Sequence, residues 1–214
     1  MSTNTAVLPH GGVIAPHRTL SLLPNPHLGE PLAMKRLLLC LGLLVFATTV
    51  FAQPKKPVLS PPAMANAIIG GKAISIKYAS PRVRGRAGHI FTKDGLIGKD
   101  PHYPVWRAGA NAATSFKTDA DLTIGDLSVP KGTYTLFVDI SNPDQWTLIV
   151  NKQNGEWGLA YNGSYDLGHV SMHMNKPPHM LENLRWTITS LGHGKGKLTL
   201  AWEDHSASVP FSVH

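Results

Sequence analysis

A single cysteine occurs in the 214 residues, Cys40, and it falls inside an apolar run. The rest of the chain has no thiol, so neither a disulfide framework nor a cysteine nucleophile is open to it, and cohesion must come from core packing. Charge is sparse as well, with Asp, Glu, Lys and Arg at 15 % and no dense Lys/Arg run, which argues against a nucleic-acid partner. No stretch carries a sustained 3.6-residue period, so an amphipathic helix has no footing. Known catalytic signatures are missing too. There is no G-x-S-x-G elbow and no H-E-x-x-H, and Gly192 to Lys197 lacks the spacing of a phosphate-binding loop. Asp139, Glu156 and Asp166 are scattered, and sequence alone pairs no two of them for acid–base work. Catalytic residues are therefore unknown and no cofactor is implied.

The longest apolar run, Leu37 to Phe51, is shorter than the roughly 20 residues a membrane span needs. Met34-Lys35-Arg36 supplies a basic start, and Val50 and Ala52 stand at the −3 and −1 places. Met34–Ala52 thus reads as a secretory signal cut after Ala52, which makes the product periplasmic or secreted and leaves no stable membrane anchor. Leu39 precedes Cys40 and the run continues beyond it, so a lipid-modified cysteine is not expected. Residues 1–33, rich in Pro and His and without periodicity, read as an over-extended, disordered N-terminus. Residues 53–69, with Pro54, Pro57, Pro61 and Pro62, read as a Pro-rich linker. Residues 70–214 then form one domain of ordinary size. Three of the 20 basic and one of the 13 acidic residues precede Gln53, leaving 17 against 12 and a net charge of +5. That balance favours an anionic partner, such as a polysaccharide or another envelope component.

What is present is alternation. Tyr134, Leu136, Val138 and Ile140 alternate with Thr135, Phe137 and Asp139. Ser141-Asn142-Pro143-Asp144 turns the chain, and Trp146, Leu148 and Val150 resume the pattern, which together make a hairpin. Gly125-Asp126 joins two short strands, Leu122–Ile124 and Leu127–Val129, in a turn of the II′ kind. Further strands are expected at Lys72–Ala79, Ala112–Lys117, Gly168–Met174, Leu184–Thr189, Leu198–Trp202 and Val209–Val213. Ser80 to Pro104 is a long loop, either functional or wrapped over the core. The expectation is all-β: a single antiparallel β-sandwich of about eight strands, with an open β-barrel as the alternative.

Three blocks resemble a known family. They are Ile76-Lys77-Tyr78-Ala79-Ser80-Pro81-Arg82-Val83-Arg84-Gly85-Arg86, the run Val105-Trp106-Arg107-Ala108-Gly109-Ala110-Asn111-Ala112-Ala113-Thr114, and Pro130-Lys131-Gly132-Thr133-Tyr134-Thr135-Leu136-Phe137. With the tail Lys195 to Glu203 and Val209-Pro210-Phe211, they are similar to the DUF2911 family, an exported bacterial domain of unknown function. The likeness covers roughly residues 68 to 213 and departs in the length of Ala87 to Pro104. It implies a location and a domain boundary, and no activity.

Trp106, Arg107 and Asn111 are the best ligand-binding candidates. Arg offers a planar fork for carboxylate or phosphate, Trp a face for a sugar ring, and Asn both a donor and an acceptor. The same residues serve equally inside a fold, with Trp106 buried, Arg107 paired to an internal carboxylate and Asn111 capping a turn. Arg82, Arg84 and Arg86 alternate and, if extended, line one face, either as an anion site or as a charged edge strand. His169 and His173 share one face of a continuous strand and Met172 and Met174 the other, a weak metal candidate that would suit copper. The reading is an exported module that binds an anionic or carbohydrate ligand. The alternatives are a hydrolase-like enzyme whose site assembles only in three dimensions, or a structural envelope protein. Intact mass of the exported protein should place its first residue at Gln53; any other start refutes the assigned cleavage site.

Overall fold

The computed structural model describes residues 57–155 and 157–214. The N-terminal extension, the Met34–Ala52 signal and the start of the linker lie outside the described residues. Among the described residues no helix is long and apolar enough to cross a membrane.

Thirteen strands form two antiparallel sheets, neither closed into a barrel, so the expected sandwich is what the sequence builds. The first sheet has the order β1 (Pro62–Ile69), β2 (Lys72–Ala79), β4 (Thr114–Thr118), β7 (Gly132–Asp139), β8 (Thr147–Asn151) and β9 (Asp166–Ser171). The two-residue β3 (Val105–Trp106) pairs with the end of β7 beyond β4. The second sheet runs β11 (Leu181–Gly192), β12 (Lys195–Glu203), β13 (His205–Val213), β5 (Leu122–Ile124) and β6 (Leu127–Val129), with β10 (His173–Asn175) also on β13. The strand number exceeds the expected eight in part because β1 and the two-residue β3 are added and the expected Gly168–Met174 strand is divided between β9 and β10.

The core lies between the sheets. Ile74, Ile76, Phe116, Leu136, Val138, Leu148 and Val150 face it from the first sheet. Leu184, Trp186, Leu198, Leu200, Trp202, Val209 and Phe211 answer from the second. The β7–β8 hairpin pairs Leu136 with Val150 and Val138 with Leu148, the register its alternation demands. Val129 to Gly132 is the crossing from β6 in one sheet to β7 in the other, fastened where the Tyr134 hydroxyl donates to the Pro130 carbonyl at 2.7 Å.

Two expectations need correction. Residues 62–69 are not linker: β1 pairs with β2 along its whole length, Pro62 opposite Ala79 through Ile69 opposite Lys72. Proline is tolerated there because it begins an edge strand. Second, Gly168–Met174 is not one strand. The chain leaves the first sheet after Ser171 and joins the second at His173, pivoting on buried Met172, whose N–H donates to the Trp146 carbonyl. The outer face of the central hairpin is covered as well. Thr135, Phe137, Ile149 and Asn151 are all buried on it, beneath the segment that carries Tyr161, whose ring lies 4.8 Å from that of Phe137.

The long loop after β2 wraps over the core, held by buried Val83, Ile90 and Ile97 and by a 3-10 turn at Ile97–Lys99. Phe137→Ala should release the overlying segment, with proteolytic cleavage in residues 157–165 accelerated ahead of global unfolding. Leu136→Ala, on the opposite face of the same strand, should lower global stability by about 3 kcal/mol in urea denaturation without favouring cleavage there.

Candidate functional site

Arg82 enters the second sheet by a single bridge to Asn183. The next residues turn sharply, with Arg84 at φ 51° and Gly85 at φ 71°, so the three arginines do not form an extended edge strand. The turn nevertheless aims Arg82, Arg84 and Arg86 at one cavity of about 330 Å³, which also takes Trp106, Arg107 and Asn111 into its wall. The six ligand-binding candidates thus line one cavity. Lys99 and Asp100 join them from the long loop, Leu59 and Ser60 from the chain before β1, and Leu159 from the segment over the hairpin.

The arginines are held in different ways. Arg107 Nη2 donates to Asp100 Oδ2 at 2.8 Å, an ion pair whose side chains are 16 % and 4 % exposed, while its Nη1 donates to the Asn111 carbonyl. Arg84 Nη2 donates to the Leu59 carbonyl at 3.0 Å. Arg86 Nε and Nη2 donate to the carbonyls of Val83 and Arg82 at 2.9 and 2.7 Å. Glu182 Oε1 lies nearby but accepts from the Arg84 backbone N–H. Among the described residues, Arg82, Arg84, Arg86 and Lys99 have no carboxylate within 4.0 Å. The cavity therefore concentrates unneutralised positive charge over an apolar floor of Leu96, Ile97, Trp106 and Trp202.

The Trp106 to Asn111 block does two jobs. Trp106 is 3 % exposed, donates from Nε1 to the Gly109 carbonyl and stacks on Trp202 at 6.0 Å and 24°. It forms floor rather than an open stacking face. Ala108 and Asn111 lie at φ 51° and 61°, and the Ala108 carbonyl accepts from Trp186 Nε1 of β11 and from Thr114 Oγ1. The block thereby ties the two sheets together. At Gly109 the close neighbour is the protein itself: a Cβ would stand 3.0 Å from Thr114 Oγ1 and 3.2 Å from the Ala79 carbonyl.

An aromatic face is open beside the cavity, but it belongs to Trp157, which is 59 % exposed and bridges Ala112, next to Asn111. Gly158 brings this segment against the block; a Cβ there would meet Arg107 Cδ and the Asn111 carbonyl oxygen at 2.3 and 2.5 Å. Sequence reasoning passed over Trp157, Lys99 and Asp100, because nothing local marks a loop residue as reaching another loop. The one available signal was a tryptophan in a polar, glycine-containing stretch.

The histidine pair does not form. His169 lies on β9, where its Nε2 is 2.8 Å from Asp166 Oδ2, and His173 lies on β10 in the other sheet, so they share no face. Asp166 also accepts from Tyr161 Oη and Asn151 Nδ2, both at 2.7 Å. Burial first, then that hydrogen bond and the charges of Asp166 and Asp139, push the Tyr161 hydroxyl up, so it acts there as a donor.

A family model, described as a protein of unknown function, matches residues 60–211. The chain belongs to that family, DUF2911. The match starts ahead of β1 and runs into β13, so the DUF2911 domain includes the strand that the proline-rich sequence disguised. No curated protein and no solved structure matches the chain.

Removing Arg107 takes away the ion-pair partner of buried Asp100 and leaves it the His102 backbone N–H. Arg107→Ala should destabilise the DUF2911 domain by about 3 kcal/mol in urea denaturation, and Asp100→Ala with Arg107→Ala by less than the sum of the single changes. An additive cycle would show that the pair is energetically idle.

Proposed function

We propose that this DUF2911 domain is an exported module that binds a multiply anionic ligand, an acidic polysaccharide or comparable envelope polymer, in the arginine cavity. The observation that carries the reading is how Arg84 and Arg86 are held. Backbone carbonyls fix their guanidinium groups and neutralise nothing, so the forks are pre-oriented while their charge is kept for a guest. Carboxylate or sulfate groups would accept charge-assisted hydrogen bonds from these forks, each worth about 1.5–3 kcal/mol net. A sugar ring would find the apolar floor below and the exposed face of Trp157 at the side. The Met34–Ala52 signal supports export, and the mild positive charge of the chain beyond it suits such a partner.

The hydrolase-like reading has one observation in its favour: a histidine and two carboxylates face one another in a second cavity, lined by Glu203, Asp204 and His205. Among the described residues the arginine cavity has no such set, since the one carboxylate in its wall, Asp100, is engaged by Arg107.

Calorimetric titration with a uronic-acid or sulfated polysaccharide should show binding that weakens as salt rises from about 0.1 M to about 1 M and the screening length shrinks from about 10 Å to about 3 Å. Arg82→Ala with Arg84→Ala, both on the surface, should leave the melting temperature unchanged and lower affinity at least about tenfold. A variant that binds as the parent does, or the absence of binding to any acidic glycan, would sink the proposal.

A further inference from the structure

We infer that Glu203, Asp204 and His205 form a site for a divalent metal ion of the zinc or manganese kind, independent of the arginine cavity. The site begins as a turn. Trp202 pairs with His205 across the β12–β13 hairpin, leaving Glu203 and Asp204 as the two central residues. Glu203 adopts φ 56°, at a place that two-residue hairpins usually give to glycine. Its side chain nevertheless turns inward and is 4 % exposed.

One ligand atom from each of the three residues lies within 4.8 Å of the others. His205 Nδ1 is 2.6 Å from Asp204 Oδ1 and 4.0 Å from Glu203 Oε2. A tetrahedral ion with bonds of about 2.0–2.2 Å holds its ligand atoms about 3.3–3.6 Å apart, between these two values. The second observation is His205 Nδ1 itself. It is fully enclosed and has no hydrogen-bond partner, because the nearby Asp204 oxygen is close but out of line. An enclosed ring nitrogen without a partner is unfavourable, and coordination to a metal would satisfy it.

The surroundings supply what a coordination site needs. The Gly88 N–H donates to Glu203 Oε1 and sets the carboxylate, while Oε2 accepts from no donor among the described residues and is left for an ion. The His205 ring is clamped parallel to Trp146, 5.3 Å away at 8°, and against Phe91 at 4.6 Å. Such outer contacts orient metal ligands. One nitrogen and two carboxylate oxygens suit a borderline ion rather than calcium or magnesium, which take oxygen alone. Three protein ligands leave a coordination position open, and the three residues front a cavity of about 350 Å³ that also touches Tyr103 and Ile140. A water molecule or a ligand oxygen would complete the shell there.

The competing account is a plain ion pair, with protonated His205 between the two carboxylates. Untagged protein, stripped with a chelator and titrated calorimetrically with Zn²⁺ at neutral pH, separates the two. The expected result is one high-affinity equivalent, with a raised melting temperature. Asp204→Asn and His205→Gln, both at partly exposed side chains, should each weaken that equivalent at least about tenfold while keeping the parent melting profile in chelator. Glu203→Gln is a third variant, read only if it folds. If His205→Gln binds Zn²⁺ as the parent does, the ion sits on exposed histidines such as His173, His179, His193 or His214 and the site is refuted. It is equally refuted if the parent takes up no zinc or manganese.

Discussion

Three tryptophans and a phenylalanine hold the two sheets and the long loop in one arrangement. Trp106 comes from β3 of the first sheet and Trp202 from β12 of the second, and they stack across the sandwich. Phe91, from the loop, lies 4.8 to 5.8 Å from Trp106, Trp146 and Trp202. Each such pair adds about 0.5–1.5 kcal/mol beyond the area it buries. In a domain without disulfides these contacts do what a covalent staple does elsewhere: they fix a loop that local hydrogen bonding alone would leave loose. The cluster is also a partition. Trp106 and Trp202 floor the arginine cavity on one side, while Phe91 lines the Glu203–His205 cavity on the other.

The charges on the two sides are of opposite kinds. One cavity collects Arg82, Arg84 and Arg86, which no described carboxylate neutralises; the other collects carboxylates around an enclosed imidazole. Neither arrangement is what stability alone would select, since unpaired like charges repel and buried polar atoms without partners are unfavourable. Local departures of this sort, in a fold whose turns, register and core are otherwise consistent, are where function is most often found.

Much of the architecture was readable from alternation, because period-2 patterning and turn chemistry act over a few residues. The β7–β8 hairpin, the Gly125 turn and the strand from Lys72 to Ala79 all follow from it. The failures share a cause. β1 looked like linker because Pro62 sits at an edge where no ladder partner needs its missing N–H. The strand through Met172 looked continuous because nothing local announces a change of sheet. The cover over Phe137, the segment around Tyr161, is distant in sequence and left no local sign. At the candidate sites, Arg82, Arg84, Arg86 and Arg107, picked out by residue type, line one cavity, and the geometry that unites them is a left-handed turn and not a strand. Glu203, Asp204 and His205 read as an ordinary turn, since only the fold reveals that Glu203 points inward.

The position of β1 decides which side of the molecule can be handled. Leu59 and Ser60, just ahead of it, are part of the arginine cavity's wall, and the Leu59 carbonyl accepts from Arg84. The far end of the strand, at Gly70, lies beside Val213, about 24 Å away at the usual rise per residue. The wall of that cavity therefore includes the start of the described chain, and a change at Leu59 or Ser60 acts on the arginine turn directly. A handle attached after residue 214 stands at the opposite pole, so immobilising the protein from that end turns the cavity outward.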